Sequence, residues 1–151
     1  IAWVGDGNNV ATSWLQASVK LGFEFRIATP EEFKLKQDQV SWAEKEGGNF
    51  LIFKEAAEAV DGADCVLTDT WVSMGDDQDR TRRMELLSSY QVNTSLMSKA
   101  KSEALFMHCL PAHRGEEVTD DVIDGSQSVI WDEAENRLHA QKSILAWCLN
   151  F

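Results

Sequence analysis

No run of about 18 apolar residues occurs anywhere in the chain, so a membrane-spanning helix is not expected. Positive charge is also scarce: 14 Lys and Arg stand against 25 Asp and Glu, a formal net charge of −11. Such an acidic surface repels phosphate backbones and anionic lipid, so neither nucleic acid nor membrane is an expected partner. A local positive pocket for a small anion stays open. The three cysteines are Cys65, Cys109 and Cys148. Their odd count and wide spacing suggest neither a disulfide framework nor a CxxC metal site, so no metal is expected and a reducing, cytoplasmic setting is. Two prolines and nine glycines exclude a low-complexity or collagen-like chain. No basic-then-apolar leader opens the sequence. Ile1 falls directly into a strand-like run, Ile1-Ala2-Trp3-Val4, and a fragment of a longer protein is expected.

What is present suits a globular domain. Hydrophobic residues make up 44% of the 151, enough for a real core. Short apolar runs at 1–4, 23–28, 50–53, 65–68, 105–108 and 128–131 read as buried strands. Amphipathic stretches between them read as helices: 10–21, 54–60, 79–90, 94–100 and 132–149. A capping box of Thr29, Pro30 and Glu32 predicts a further helix from Pro30 to about Glu46, stopped by Gly47-Gly48. The β-α alternation predicts a three-layer α/β/α domain with a mostly parallel sheet of five or six strands. In such a fold ligands bind beyond the carboxyl ends of the strands, so the loops there are where chemistry is sought.

Four loops stand out. Gly5-Asp6-Gly7-Asn8-Asn9 follows the first strand, but Val10 stands where a GxGxxG loop needs its third glycine, which argues against a dinucleotide. It reads as a tight turn with an Asn cap, or as amides at a helix start that bind a small polar ligand. Asp69-Thr70-Trp71-Val72-Ser73-Met74-Gly75 follows the fourth strand, and its carboxylate and hydroxyl could grip an ammonium group. His108-Cys109-Leu110-Pro111-Ala112-His113-Arg114-Gly115 follows the fifth. Its ligand spacing is not that of a zinc site. His108 and Cys109 are adjacent and point to opposite sides, which weakens a Cys–His nucleophile. The cis or trans state of Pro111 is not readable. Glu135-Asn136-Arg137 lies in the last helix. The Arg80-Thr81-Arg82-Arg83 cluster reads as a solvated helix face.

Together these loops resemble the ornithine carbamoyltransferase family, in its second, ornithine-binding half. The matching segments are GDGNN at 5–9, DTWVSMG at 69–75, HCLPAHRGEEV at 108–118 and ENR at 135–137, in order over nearly the whole chain. SMG and HCLP separate this family from aspartate carbamoyltransferase. The resemblance implies a Rossmann-like domain and transfer of a carbamoyl group from carbamoyl phosphate to the δ-amine of L-ornithine, with no cofactor. By position, Asn9 would bind ornithine, and Asp69, Ser73 and Met74 would hold its amino-acid end. His108, Cys109 and Leu110 would lie around the substrate, with Cys109 near the reacting amine and Leu110 acting through its backbone. Arg137 would contact the carbamoyl group. Cys109, Asp69 and Arg137 are the catalytic candidates.

The family's first half binds carbamoyl phosphate through a Ser-Thr-Arg-Thr loop and a His-Pro-x-Gln motif. Neither is in this sequence, so the resemblance implies that the carbamoyl-phosphate domain is absent and that this domain does not turn over alone. It also implies a parent of homotrimeric or larger assembly, acting in arginine biosynthesis. A lid is expected over 69–77. Two other readings are a carbamoyltransferase for another amine such as putrescine, and a Rossmann-like module that only binds a small ligand.

Overall fold

Short, branched, apolar segments bounded by Gly, Asp or Asn can be buried on both faces, and here they pair into one parallel sheet. The computed structural model describes residues 1–72 and 79–150. Its strands are β1 (Ala2–Val4), β2 (Phe25–Ala28), β3 (Phe50–Phe53), β4 (Cys65–Thr68) and β5 (Leu105–His108), in the order β3-β2-β1-β4-β5. The helices are α1 (Asn9–Leu21), α2 (Gln37–Lys45), α3 (Ala56–Val60), α4 (Arg80–Leu87), α5 (Thr94–Met97), α6 (Asp120–Ile123) and α7 (Ile130–Cys148). Alternation along β1 divides the core. Trp3 packs with Leu15 of α1 and Ala43 of α2, while Ala2 and Val4 pack with α3 and Phe106 on the other face. The result is the three-layer α/β fold that the alternation implies.

The chain runs outward from β1 to β3, then returns to add β4 and β5 on the other side of β1. This reversal leaves a crevice between the carboxyl ends of β1 and β4, the place where open parallel sheets accept ligands.

Two expectations change. The helix expected from Pro30 is a single 3-10 turn, Glu31–Phe33, followed by extended backbone before α2. The Thr29 hydroxyl does not cap a helix; it donates to Phe33 O at 2.9 Å. Leu35 is buried, and Gly7 N–H donates to Phe33 O at 2.7 Å, so packing against the β1–α1 loop replaces the helical pattern. The run at 128–131 is not a strand. Ser128 makes one isolated bridge to Phe106, and α7 starts at Ile130, which is buried while Trp131 is exposed. α6 lies in a stretch to which periodicity assigns no element.

The close approach at Gly7 leaves no room for a side chain. A Cβ there would lie 2.6 Å from Phe33 O and 2.7 Å from Leu35 N, both backbone atoms. Gly7→Ala is expected to destabilise the domain by about 2 kcal/mol, the cost of forcing backbone apart, read as a lower denaturant midpoint at unchanged slope.

Candidate functional site

The crevice begins at the β1–α1 loop. Gly5 takes a positive φ of 123° and donates to Ala28 O at 3.0 Å, which turns the chain sharply off β1. Asn8 then caps α1: its Oδ1 accepts from Val10 N at 2.9 Å and Ala11 N at 3.1 Å. With Oδ1 so engaged, its Nδ2 points across the crevice and donates to Asp69 Oδ2 at 2.7 Å. Asn9, the residue singled out by sequence, is the first residue of α1 and is exposed. It lies on the rim of an open depression of about 360 Å³ shared with Thr12 and Lys36. The carboxylate's partner is therefore Asn8. The signal for it was the Asn cap before the helix.

Asp69 follows β4 and is only 7% exposed. Burying a carboxylate is costly unless its oxygens are hydrogen-bonded, and here both are. Oδ2 accepts from Asn8; Oδ1 accepts from Thr70 N at 2.8 Å and from Cys109 Sγ at 3.1 Å. Cys109, just past β5, is exposed on its other side. Partial burial, the hydrogen bond to Asp69 and the Asp69 charge push its thiol pKa from 9.0 up to about 12. The sulfur is therefore a thiol donor at neutral pH and not a thiolate nucleophile.

His108 turns inward, but one of its ring nitrogens stays within 4.8 Å of an Asp69 oxygen and the Cys109 sulfur, closer than the opposite-side placement expected from strand alternation. Its ring is wholly buried, with Nδ1 accepting from Leu110 N at 2.9 Å and Nε2 facing Glu117 Oε1 at 3.2 Å. An accepting Nδ1 assigns the proton to Nε2, which donates to Glu117. Both ring nitrogens are engaged inside, and the ring positions the loop. The loop turns at Leu110 (φ 55°), and the Leu110–Pro111 peptide is cis.

Arg83 of α4 corrects a second expectation. It is no solvated residue: its side chain is 11% exposed, ion-paired with Asp6, and donates to Trp71 O, with its guanidinium 4.4 Å from the centre of the Phe33 ring. It thus ties together the loops after β1, β2 and β4. Arg80 and Arg82 are exposed, as expected. Ser73 and Met74, and the part of the expected lid from 73 onward up to 77, lie outside the described residues.

Arg137 is exposed on α7 and makes no hydrogen bond or ion pair with another described residue. Its position is nonetheless informative. Mid-β5, Phe106 N donates to Gln127 O, and at the end of β5, His108 N donates to Glu133 Oε2 at 3.0 Å. So α7 runs along β5 toward the carboxyl edge. Arg137 lies one turn beyond Glu133 on the same helix face, about 6 Å further out. Burial pushes the Glu133 carboxyl up, and its charge in turn helps raise Cys109. Asn8, Asp69 and Cys109 are brought together directly, and Arg137 makes no hydrogen bond with any of them.

Asp69, His108 and Cys109 offer ligand atoms within 4.8 Å of one another. The set is satisfied internally, because the Nδ1 lone pair takes Leu110 N–H and the sulfur carries its proton.

A thiol whose pKa is raised by folding holds its proton more tightly in the folded state. That stabilisation is present below pH 9.0 and lost as pH rises toward about 12. Cys109→Ser is expected to flatten this alkaline part of the stability curve. Asp69→Asn is expected to speed alkylation of Cys109 at pH 9 severalfold, as measured by mass spectrometry against time.

The chain is similar to known proteins over nearly its whole length. Residues 1–148 match the family model described as aspartate/ornithine carbamoyltransferase, Asp/Orn binding domain. Among curated proteins, the chain is 62% identical over 148 residues to ornithine carbamoyltransferase of Rhodopseudomonas palustris, covering 98% of this chain and 47% of that protein. It is 58% identical over 149 residues to the Mesorhizobium japonicum protein of the same name, covering 99% and 49%. Among solved structures, ornithine carbamoyltransferase from Pyrococcus furiosus superposes with a TM-score of 0.89 at 49% identity, covering 96% of this chain and 48% of that one. The anabolic enzyme from Campylobacter jejuni superposes with a TM-score of 0.93 at 36% identity, covering 99% and 50%. The chain spans about half the length of the relatives it matches.

Proposed function

The chain belongs to the aspartate/ornithine carbamoyltransferase family, as its Asp/Orn-binding domain, and on that premise we propose that it is the acceptor-binding part of an ornithine carbamoyltransferase. The reaction moves the carbamoyl group of carbamoyl phosphate to the δ-amine of L-ornithine, giving L-citrulline and phosphate. The observation that carries the choice of acceptor is the buried Asp69 carboxylate at the crevice, held by Asn8 and Cys109. A fixed negative charge there favours a cationic amine and disfavours an acceptor with a second carboxylate.

The chemistry needs the neutral amine, whereas an alkyl ammonium has a pKa of about 10.4. In this reading Asp69 attracts the ammonium and takes up its proton, since the Cys109 sulfur is already protonated. Cys109 opens onto the crevice beside the amine and keeps Asp69 Oδ1 in place through its S–H. The amine nitrogen then attacks the carbamoyl carbon, a C–N bond forms, the C–O bond to phosphate breaks with its electron pair leaving on phosphate, and the nitrogen's second proton passes to the departing phosphate. Arg137, projecting beyond the sheet edge, is assigned to the carbamoyl oxygen, where charge develops. Asn9, Ser73, Met74 and the Leu110 backbone are assigned to the amino-acid end.

The carbamoyl phosphate anchor is assigned to an N-terminal domain in the rest of the protein. A surface that such a domain could cover is the apolar stripe of α7, where Trp131, Leu138 and Leu145 recur every seven residues and are 64%, 61% and 61% exposed. A trimeric or larger assembly, a place in arginine biosynthesis and a cytoplasmic location complete the proposal.

The test is steady-state kinetics on the full-length protein containing this chain, with carbamoyl phosphate and ornithine, putrescine or aspartate as acceptor. Citrulline is the expected product, with little turnover of the other two; faster turnover of either would overturn the acceptor assignment. Asp69→Asn is expected to cost about 2 kcal/mol or more in kcat/KM for ornithine, as for a charged hydrogen bond. Cys109→Ser is nearly isosteric and is expected to lower kcat by about tenfold with KM little changed.

A further inference from the structure

Behind the Asp69–Cys109 pair, the loop that follows β5 gathers a second group of polar side chains. His113 Nδ1, a Glu116 oxygen and a Glu117 oxygen all lie within 4.8 Å of one another. Nδ1 is 4.0 Å from Glu116 Oε2 and 4.0 Å from Glu117 Oε2. Both of those oxygens are buried and have no hydrogen-bond partner among the described residues. The other oxygen of each carboxylate is engaged: Glu116 Oε1 pairs with Arg80, and Glu117 Oε1 takes His108 Nε2 and His113 N. The Glu117 side chain is 0% exposed.

Buried carboxylate oxygens left without a partner are costly, and two of them facing one imidazole nitrogen are costlier still. Arg80 offsets one of the two negative charges when both carboxylates are ionised, leaving one uncompensated. A small cation seated between the two oxygens would compensate it. Three atoms so spaced leave a central point roughly 2.3–2.5 Å from each, within a few tenths of an ångström of transition-metal bond lengths. A fourth donor is at hand. Thr70 Oγ1 lies 2.9 Å from His113 Nδ1, the spacing of neighbouring ligands around one ion, and its proton has Val72 O at 3.2 Å to go to.

We propose that His113, Glu116 and Glu117, with the Thr70 hydroxyl, form a binding site for a divalent first-row transition-metal ion. One imidazole with oxygen donors suits zinc, cobalt or manganese and not a hard, all-oxygen ion such as calcium. Glu117 would bridge the ion to His108, and Thr70 is the neighbour of Asp69. The ion therefore pins the loop after β5 to the loop after β4 without entering the crevice.

The test is titration of the full-length protein with Co2+, followed by its visible absorption. Binding is expected without the near-ultraviolet band of a cobalt thiolate. Glu116→Gln and His113→Gln are each expected to weaken it by about tenfold or more, while Cys109→Ser leaves it unchanged. In wild type the ion is expected to raise the thermal unfolding midpoint, and in Glu116→Gln to leave it where it was. Absence of Co2+ binding would overturn the proposal. So would binding that survives both substitutions, or binding that shows a thiolate band and disappears with Cys109→Ser.

Discussion

A single buried carboxylate organises this molecule. Asp69 is held in the interior of the crevice only because three neighbours donate to it, and those neighbours come from the ends of three strands. Remove Asn8 and Oδ2 loses the donor that holds it, at a cost of a few kcal/mol, while Oδ1 has two donors to share. The same requirement explains the geometry around it. Asn8 can reach Asp69 because its other amide atom is already committed to the α1 N-terminus, and Cys109 is a donor because burial and the carboxylate it faces keep its proton on.

Two further buried contacts support that arrangement from either side. Arg83 and Asp6 are a largely desolvated ion pair, and the guanidinium adds a main-chain acceptor and an aromatic face. On the far side, His108 and Glu117 fix the course of the loop after β5 from below. The crevice is therefore built by polar contacts across loops, laid over a sheet built by apolar burial. The two depend on each other: without the sheet, the loops have no common edge, and without the loops, the edge presents only open strand ends.

How much of this was legible follows from the range of the interactions. The five strands and α1 were readable because periodicity and turn chemistry are local. So were Asp69 and Cys109, whose place after a strand marks them out in a parallel sheet. The Asn8–Asp69 bond spans 61 positions and the Arg83–Asp6 pair spans 77, and no local pattern encodes either. Arg83 looked solvated because its neighbours in sequence are. The helix expected at Pro30 failed for a similar reason, since the capping signal was sound locally but the backbone of Gly7 occupied the space a helix would have needed. At 128–131, an apolar tetrapeptide fits a strand or a helix start equally well. Only the single bridge at Ser128 and the burial of Ile130 decide it.

The last helix has a mechanical consequence. α7 is seated on the domain at Ile130 and Glu133 and is mostly exposed beyond them. It is a beam fixed at one end. Arg137 is about 6 Å past the fulcrum at Glu133, while Cys148 is about 22 Å past it. A sideways push at the far end is thus reduced roughly fourfold by the time it reaches the arginine. Whatever grips the exposed length of α7 can rock by an ångström and move the guanidinium's root by only about a quarter of that. The lever isolates the crevice from jostling at its own margin, and only a large, concerted swing would be felt inside.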